Sequence, residues 1–462
     1  MQAPVPAAPD LGQLIDDSRW SPLQKWVLVL GALAFTADGL ANQVLGLAIP
    51  ALIRDWRVPG QAFAAVAALG LIGVALGTTF GGLLGDRLGR RRGLTGSVLL
   101  FGLMTVASAR VHTLTELMAL RFIGGLGIGG AIPNGAALIS EFTPLRRRSV
   151  AIAIGMLFIP VGGVVAGGLA TGILPQLGWR GLFLVAGAVT LAIGLLFAAV
   201  LPESPRFLVR FAERRSQLLE LLRRCGLSLD PRVQLTDAVT RERTPLKALF
   251  GHGMLTDTLA LWVAFFFGLL ASYTLFSWVP TMLAGQGFSL SATSIGTTSF
   301  NIGGMIGSIV GGWLIEKVGS RASVLALAAG TSLGALALGL MPLNPQHGLG
   351  TALIALTAEG FFLGGFHNGL YTLAAFLYPP FVRGTGVGAA AGVGRIGAVV
   401  SAYTGVLALE LAGKSGYFIV IAVAAAIALL ATAVFRQHVA RSAGKSGQAD
   451  EATPVAAASQ RH

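Results

Sequence analysis

Charge is scarce in this sequence. Only 11% of its 462 residues are Asp, Glu, Lys or Arg, against 54% hydrophobic ones, and the mean hydropathy is +0.74. That balance excludes an ordinary soluble globular chain of this length. Cysteine is scarcer still: Cys225 stands alone, so no intramolecular disulfide can form, and its charged surroundings give it the reading of an ordinary solvated thiol. The six His show no metal-ligand spacing and no nucleophile sits in a recognisable elbow, so an enzyme reading has no positive support and no cofactor is implied. Two runs, Gly125-x-Gly127-x-x-Gly130 and Gly392-x-Gly394-x-x-Gly397, have dinucleotide-binding spacing. Each lies inside an apolar run with no strand before it, which makes them helix-packing glycines.

What is abundant is apolar sequence in runs of about 20 residues, the length of helix that crosses a hydrocarbon core about 30 Å thick. The runs fall at 26–51, 62–85, 93–111, 114–140, 149–173, 179–201, 256–283, 291–315, 321–342, 348–377, 384–411 and 415–435. The expected fold is therefore an all-α polytopic membrane protein with twelve transmembrane helices. The net charge of +13 is a topology signal, not a nucleic-acid signal. Of the 33 Lys and Arg, five lie on one side (Arg54, Arg57, Arg110, Arg180, Lys414), two lie inside spans (Arg121, Arg395), and the rest share the opposite side. Positive charge accumulates in cytoplasmic loops, which predicts an inner-membrane protein with both termini in the cytoplasm. Residues 1–25 carry Asp10, Asp16 and Asp17 and no small-residue cleavage site, and read as a cytoplasmic tail.

Residues 73–91 laid over 303–321 at an offset of 230 align Gly73, Gly77, Gly81 and Gly82 with Gly303, Gly307, Gly311 and Gly312. Past the helix end, Asp86 meets Glu316, Arg87 meets Lys317, Gly89 meets Gly319 and Arg91 meets Arg321. An offset of six spans keeps both copies on one side of the membrane, as in parallel repeats. The expected organisation is two pseudo-symmetric six-helix bundles, 26–201 and 256–435, joined by a basic cytoplasmic linker at 202–255 containing some amphipathic helix, with a disordered cytoplasmic tail at 436–462. The glycine stripes read first as close helix packing, and secondarily as surfaces that slide.

The segments GGLLGDRLGRRRG (81–93), PESPRFL (202–208) and, more weakly, GGWLIEKVGSR (311–321) resemble the loop signatures of the major facilitator superfamily. Within it, ADGLANQVLGLAIPAL (37–52), RFIGGLGIGGAIPNGAALISEFTPLRRR (121–148), YTLFSWVPTML (273–283) and YPPFVRGTGVGAAAGVGRIGA (378–398) resemble the aromatic acid:proton symporters. The resemblance implies uptake of a small aromatic carboxylate of the benzoate, hydroxybenzoate or phenylpropionate type, with protons, by a monomer in the lipid bilayer. The family pattern in the first span is Asp-Gly-x-Asp. Here Ala41 replaces the second acid, which leaves the proton count open.

A charge at mid-helix costs roughly 2.5–3.5 kcal/mol by insertion scales, so ionisable residues inside spans call for a partner or a task. They are Asp38, Arg121, Glu359, His367 and Arg395. Asp38 with Asn42, and His367 with Tyr371, are four apart and share a helix face. Proton coupling is expected at Asp38, Glu359 or His367. Substrate contacts are expected from Arg395, whose planar fork suits a carboxylate, and from Arg121, Asn42, Tyr273, Trp278, Asn301, His367 and Tyr371. Arg395 has a structural alternative in a pair with Glu359 or another acid, Arg121 one in reaching the interface, and the aromatic stripe of Tyr273, Phe276 and Trp278 one as core or lipid contact. Asp86, Arg87, Arg90 and Arg91, Glu316 and Arg321 in the repeat, Glu141 and Arg383 are expected to gate. Two other readings stay open: an exporter of drugs or metabolites on the same fold, although Ile159-Pro160-Val161-Gly162-Gly163 departs from the antiporter signature, and a transporter-like sensor of an organic acid.

Overall fold

The computed structural model describes residues 9–230, 233, 235–236, 249–250, 254–379 and 382–435, with only the backbone at His347. Among them, nine helices are long and apolar enough to cross a membrane. Two of the nine each hold two segments, and Arg90–Ser108 is one more, so the twelve expected segments are all helical. We number them α1 (Pro22–Trp56), α2 (Ala62–Leu88), α3 (Arg90–Ser108) and α4 (Leu114–Phe142), then α5 and α6 from the run Leu145–Met156 and Phe158–Val200. The second half holds α7 (Leu255–Gly285), α8 (Leu290–Val318), α9 (Ser320–Leu340) and α10 (Leu349–Leu377), then α11 and α12 from Arg383–Ala433.

Local sequence sets the breaks. Gly178, at φ +62°, separates α5 from α6, and Gly413, at φ +59°, separates α11 from α12. Both occupy a region that a side chain disfavours. Gly89 (φ +103°) and Gly319 (φ +97°) end α2 and α8 in the same way, so the repeat at offset 230 is a repeat of backbone shape. The Ser-Pro-x-Gln start of α1 forms a reciprocal cap: the Ser21 hydroxyl accepts from Gln24 N, and Ser21 N donates to the Gln24 amide oxygen at 2.7 Å. Such polar caps lie outside the apolar runs, which is why α1 extends beyond the expected 26–51.

Packing repeats between halves. α1 lies on α5, α2 on α4 and α3 on α6, and likewise α7 on α11, α8 on α10 and α9 on α12. The glycine stripes perform the first expected task. A Cβ on Gly77 would sit 2.2 Å from the Leu126 carbonyl oxygen, and one on Gly307 1.8 Å from that of Phe361, so bare backbone sets both helix spacings.

The face bearing the starts of α1, α3 and α11 is called the basic face here. The halves touch along α1 with α7, α2 with α11, and α5 with α8. Hydrogen bonds join them at Gln43–Asn301 (3.3 Å), at Gln61–Glu410, and at Ser291–Thr171 (3.4 Å). Gly167 leaves room for the Thr298 hydroxyl, which would lie 2.0 Å from a Cβ there. All of these contacts lie at mid-span or toward the opposite face.

The region before α1 and after α6 departs from a plain tail and linker. Leu11–Asp16 is a short helix whose Leu11 and Ile15 are buried with Leu218, Leu221 and Leu222 of the helix Arg215–Arg224. Asp16 pairs with Arg148, and Leu11 N donates to Thr236 O at 2.8 Å. Cys225 is buried beneath this layer at 4% exposure, which corrects its reading as a solvated thiol. The helix Arg215–Arg224 is strongly amphipathic and its apolar face closes over the thiol. The expectation of disorder at 436–462 and much of the linker, 237–248 and 251–253, lie outside the described residues.

Candidate functional site

Four helices bring polar groups together between the halves. α11 carries Arg395 among Gly392, Gly394 and Gly397. A Cβ on Gly397 would lie 2.1 Å from the Phe266 carbonyl oxygen, so α11 rests against the α7 backbone and Arg395 is delivered beside Tyr273. Its Nη1 donates to the Tyr273 hydroxyl at 3.0 Å. From α1, Asp38 faces the guanidinium within electrostatic reach, as does Tyr371 of α10. Asn42 Nδ2 donates to the Asp38 backbone oxygen at 3.0 Å and to its carboxylate at 3.3 Å. One turn from Tyr371, the His367 ring lies 5.4 Å from it, and His367 Nδ1 is 3.5 Å from the Ser272 hydroxyl.

Exposure separates these groups. Asp38 is 2% exposed, whereas Asn42, Tyr273, His367, Tyr371 and Arg395 are half-buried. Among the described residues Arg395 forms no salt bridge. A guanidinium with five donors, one phenol partner and partial exposure leaves donors free for a ligand anion.

Other expected site residues lie apart. Arg121 stacks on Phe183 at 4.8 Å and reaches the Ser108 hydroxyl at 3.4 Å, inside the first half, so it neither snorkels nor joins Arg395. The Trp278 ring packs on Gly405 of α11 in the apolar core. Glu359 is fully buried on α10 beside Gly334 and Tyr417, so the expected alternative of a Glu359–Arg395 pair is not formed. Asn301 meets Gln43 and fills the space left by Gly163. Ala41 is buried in an apolar cluster with Val74, Phe101 and Ile128 of the first half.

On the basic face, Arg90 is 6% exposed and pairs with Asp86 one turn earlier. It also reaches Glu141 Oε1 at 3.4 Å and Asn134 Oδ1 at 3.4 Å, while Glu141 accepts from the Ser204 hydroxyl. Glu203 accepts from Arg91 N at 3.1 Å, at the start of α3, where a helix N-terminus favours an anion. These contacts tie α2, α3, α4 and the segment after α6 within one half. Arg87, Glu316, Arg321 and Arg383 are exposed on the same face.

The sequence profile described as Major Facilitator Superfamily matches residues 31–344 and 285–461. The chain belongs to the major facilitator superfamily. It is a membrane transporter and not an enzyme. It is 34% identical over 442 residues to the gallate transporter of Pseudomonas putida, covering 93% of this chain and 96% of that one. Over 415 residues it is 32% identical to the 4-hydroxybenzoate transporter PcaK of Pseudomonas aeruginosa, covering 87% and 90%. It is also 32% identical to the 3-(3-hydroxy-phenyl)propionate transporter of Escherichia coli, covering 78% and 81%. In shape it is similar to the inward-open xylose transporter XylE from E. coli, with a TM-score of 0.72 over 90% of this chain and 97% of that one. At 19% identity, that likeness concerns the fold alone.

Sequence reasoning missed Gln43 and Ser272. Both are ordinary polar residues in apolar runs and carry no charge to draw notice. Their significance lies in neighbours on other helices.

Proposed function

We propose that this transporter takes up a small aromatic carboxylate together with protons by alternating access. Arg395 carries the reading: a half-buried guanidinium at mid-span, held by the Tyr273 hydroxyl with donors to spare, and bordered by the rings of Tyr371 and His367. Its fork suits a carboxylate, and the rings suit an aromatic body.

Asp38 is the proton carrier in this scheme. With the site empty, Asp38 and Arg395 offset each other's charge. A substrate carboxylate that takes the guanidinium leaves Asp38 without that countercharge, and a proton then neutralises it. Binding of anion and proton is thereby linked. Uptake of an anion against a negative interior is opposed by about 2.3 kcal/mol per 100 mV, and one accompanying proton cancels the charge.

The excess of Arg and Lys on the basic face supports its being cytoplasmic, with both termini in the cytoplasm and the spans in the inner membrane. The contacts between halves lie at mid-span or toward the opposite face, as expected of an inward-facing state. Asp86, Arg90 and Glu141 then form the device that exchanges partners as the halves rock. The test is uptake into proteoliposomes under an imposed inward pH gradient, with labelled benzoates, phenylpropionates and xylose. Accumulation of an aromatic acid that a protonophore abolishes is expected. Accumulation without proton dependence, or outward transport only, refutes the proposal.

A further inference from the structure

Within electrostatic reach of Arg395 lies one ring whose hydrogen bonding is fixed from behind. The Ser272 hydroxyl gives its single hydrogen to Gly268 O at 2.8 Å, so it has only lone pairs to offer His367 Nδ1, 3.5 Å away. A hydrogen bond between them therefore puts the imidazole hydrogen on Nδ1 and leaves Nε2 as a bare acceptor. A neutral ring also avoids a second positive charge beside Arg395 in the membrane interior. Nε2 has no hydrogen-bond partner among the described residues, yet it is not one of the polar atoms sealed inside the protein.

This acceptor and the guanidinium belong to one site. His367 and Tyr371 are four residues apart on α10, about 40° round the helix at roughly 100° per residue, so they share a face. Both are half-buried, both lie within electrostatic reach of Arg395, and Tyr371 packs edge-on against Phe265 of α7 at 5.0 Å. Arg395 Nη1 donates to the Tyr273 hydroxyl, which leaves the phenol hydrogen free to be given to a ligand. Arg395 and Tyr273 thus present donors where His367 presents a lone pair. A carboxylate is drawn to the first two and repelled by the third. The Tyr371 hydroxyl or the Asn42 amide can turn to give or to accept, but Nε2 of a ring held at Nδ1 can only accept.

We propose that His367 Nε2 accepts a hydrogen bond from a hydroxyl on the substrate ring, so that His367 orients the substrate and selects hydroxylated aromatic acids over unsubstituted ones. This rests on the uptake reading, with the carboxylate at Arg395. An analogue without the hydroxyl leaves Nε2 unpaired beside an apolar ring, and that stranded acceptor is the source of the selectivity.

The test measures how well 3-hydroxybenzoate, 4-hydroxybenzoate, their methyl ethers and unlabelled benzoate displace labelled benzoate from the purified wild type, His367→Phe and His367→Gln. Phe keeps a flat ring against Tyr371 without the nitrogens, and Gln keeps an acceptor at a similar reach. In the wild type, at least one hydroxybenzoate should compete about tenfold or more better than benzoate and than its own ether, the scale of one hydrogen bond. In His367→Phe that ratio should fall to within about twofold, and His367→Gln should keep most of it. Equal competition by all the acids in the wild type overturns the inference even if both variants fail to fold. An undiminished preference in His367→Phe overturns it also. So does a loss in His367→Gln as complete as in His367→Phe, because the packing of the ring and not its nitrogen would then set the preference. If no acid binds the wild type, benzoate included, the uptake reading falls and takes this inference with it.

Discussion

Replacing Arg395 tests the site at its most informative atom group. Arg395→Lys keeps one positive charge but loses the planar fork, and Lys is shorter in its donor reach, so the bond from Nη1 to the Tyr273 hydroxyl and one of the two parallel bonds to a carboxylate are lost together. A hydrogen bond to a charged group contributes about 1.5–3 kcal/mol. At about 1.4 kcal/mol per tenfold, binding of the acid should weaken roughly ten- to hundredfold. Arg395→Ala should be worse, because Asp38 then faces the cavity without a countercharge. The assay is binding to purified protein of an aromatic acid and of its uncharged amide, measured for the wild type and both variants after confirming that each is folded. The wild type should prefer the acid, and the Ala variant should lose that preference while retaining amide binding. Equal loss of acid and amide would show that Arg395 holds α11 against α7 and does not read charge.

Asp38→Asn should abolish accumulation against a gradient while counterflow continues, because exchange needs no net proton movement; concentrative uptake by this variant would move the proton to Glu359 or His367. Asp86→Asn removes a partner of Arg90 and should slow turnover with normal membrane insertion, so wild-type turnover would reduce Asp86 to a topology signal. Burial pushes the Cys225 thiol up to about 11 from its ordinary 9.0. The thiolate is then the minor form at neutral pH, and iodoacetamide labelling of the native protein should keep rising toward about pH 11 and accelerate when Leu11→Asp loosens the covering helix. A labelling profile that levels off near pH 9 would show the thiol to be exposed.

The fold was legible because each span declares itself locally. Hydrophobic length, a glycine at many of the reversals and the charge of the loops need no knowledge of neighbours, and they yield twelve segments and their pairing into halves. Within one helix the same holds: Asp38 with Asn42 share a face as their spacing requires. His367 and Tyr371 do so too. Between helices that legibility ends. Arg121 and Arg395 look alike in sequence, each an arginine set among glycines in an apolar run. Phe183 and Ser108 take up the first, whereas Tyr273 and Asp38 meet the second. Depth in the span differs, since Arg121 follows the helix start at Thr113 and Glu116 whereas Arg395 lies about a dozen residues into its run, but neither sequence names the partners that the fold supplies.

Ala41 shows how the structure changes the meaning of a departure from a family pattern. Read along the chain, the missing acid looks like the loss of a proton carrier from the site. Along α1, residue 41 lies about 60° round the helix from residue 38 at roughly 100° per residue, and its side chain is buried in the apolar cluster that holds Val74, Phe101 and Ile128 of the first half. An acid there would enter that apolar cluster, where α1 packs against α2, α3 and α4. The site keeps its own acid, Asp38, and its cation, Arg395. With one acid facing one arginine, the occupied site is neutral when it holds one proton and one substrate anion beside Arg395, counting one positive charge against one negative. In the proposed symport, a site balanced in that way crosses the membrane without net charge on its moving parts, so a single acid would suffice for coupling and the membrane potential would neither oppose nor drive that step.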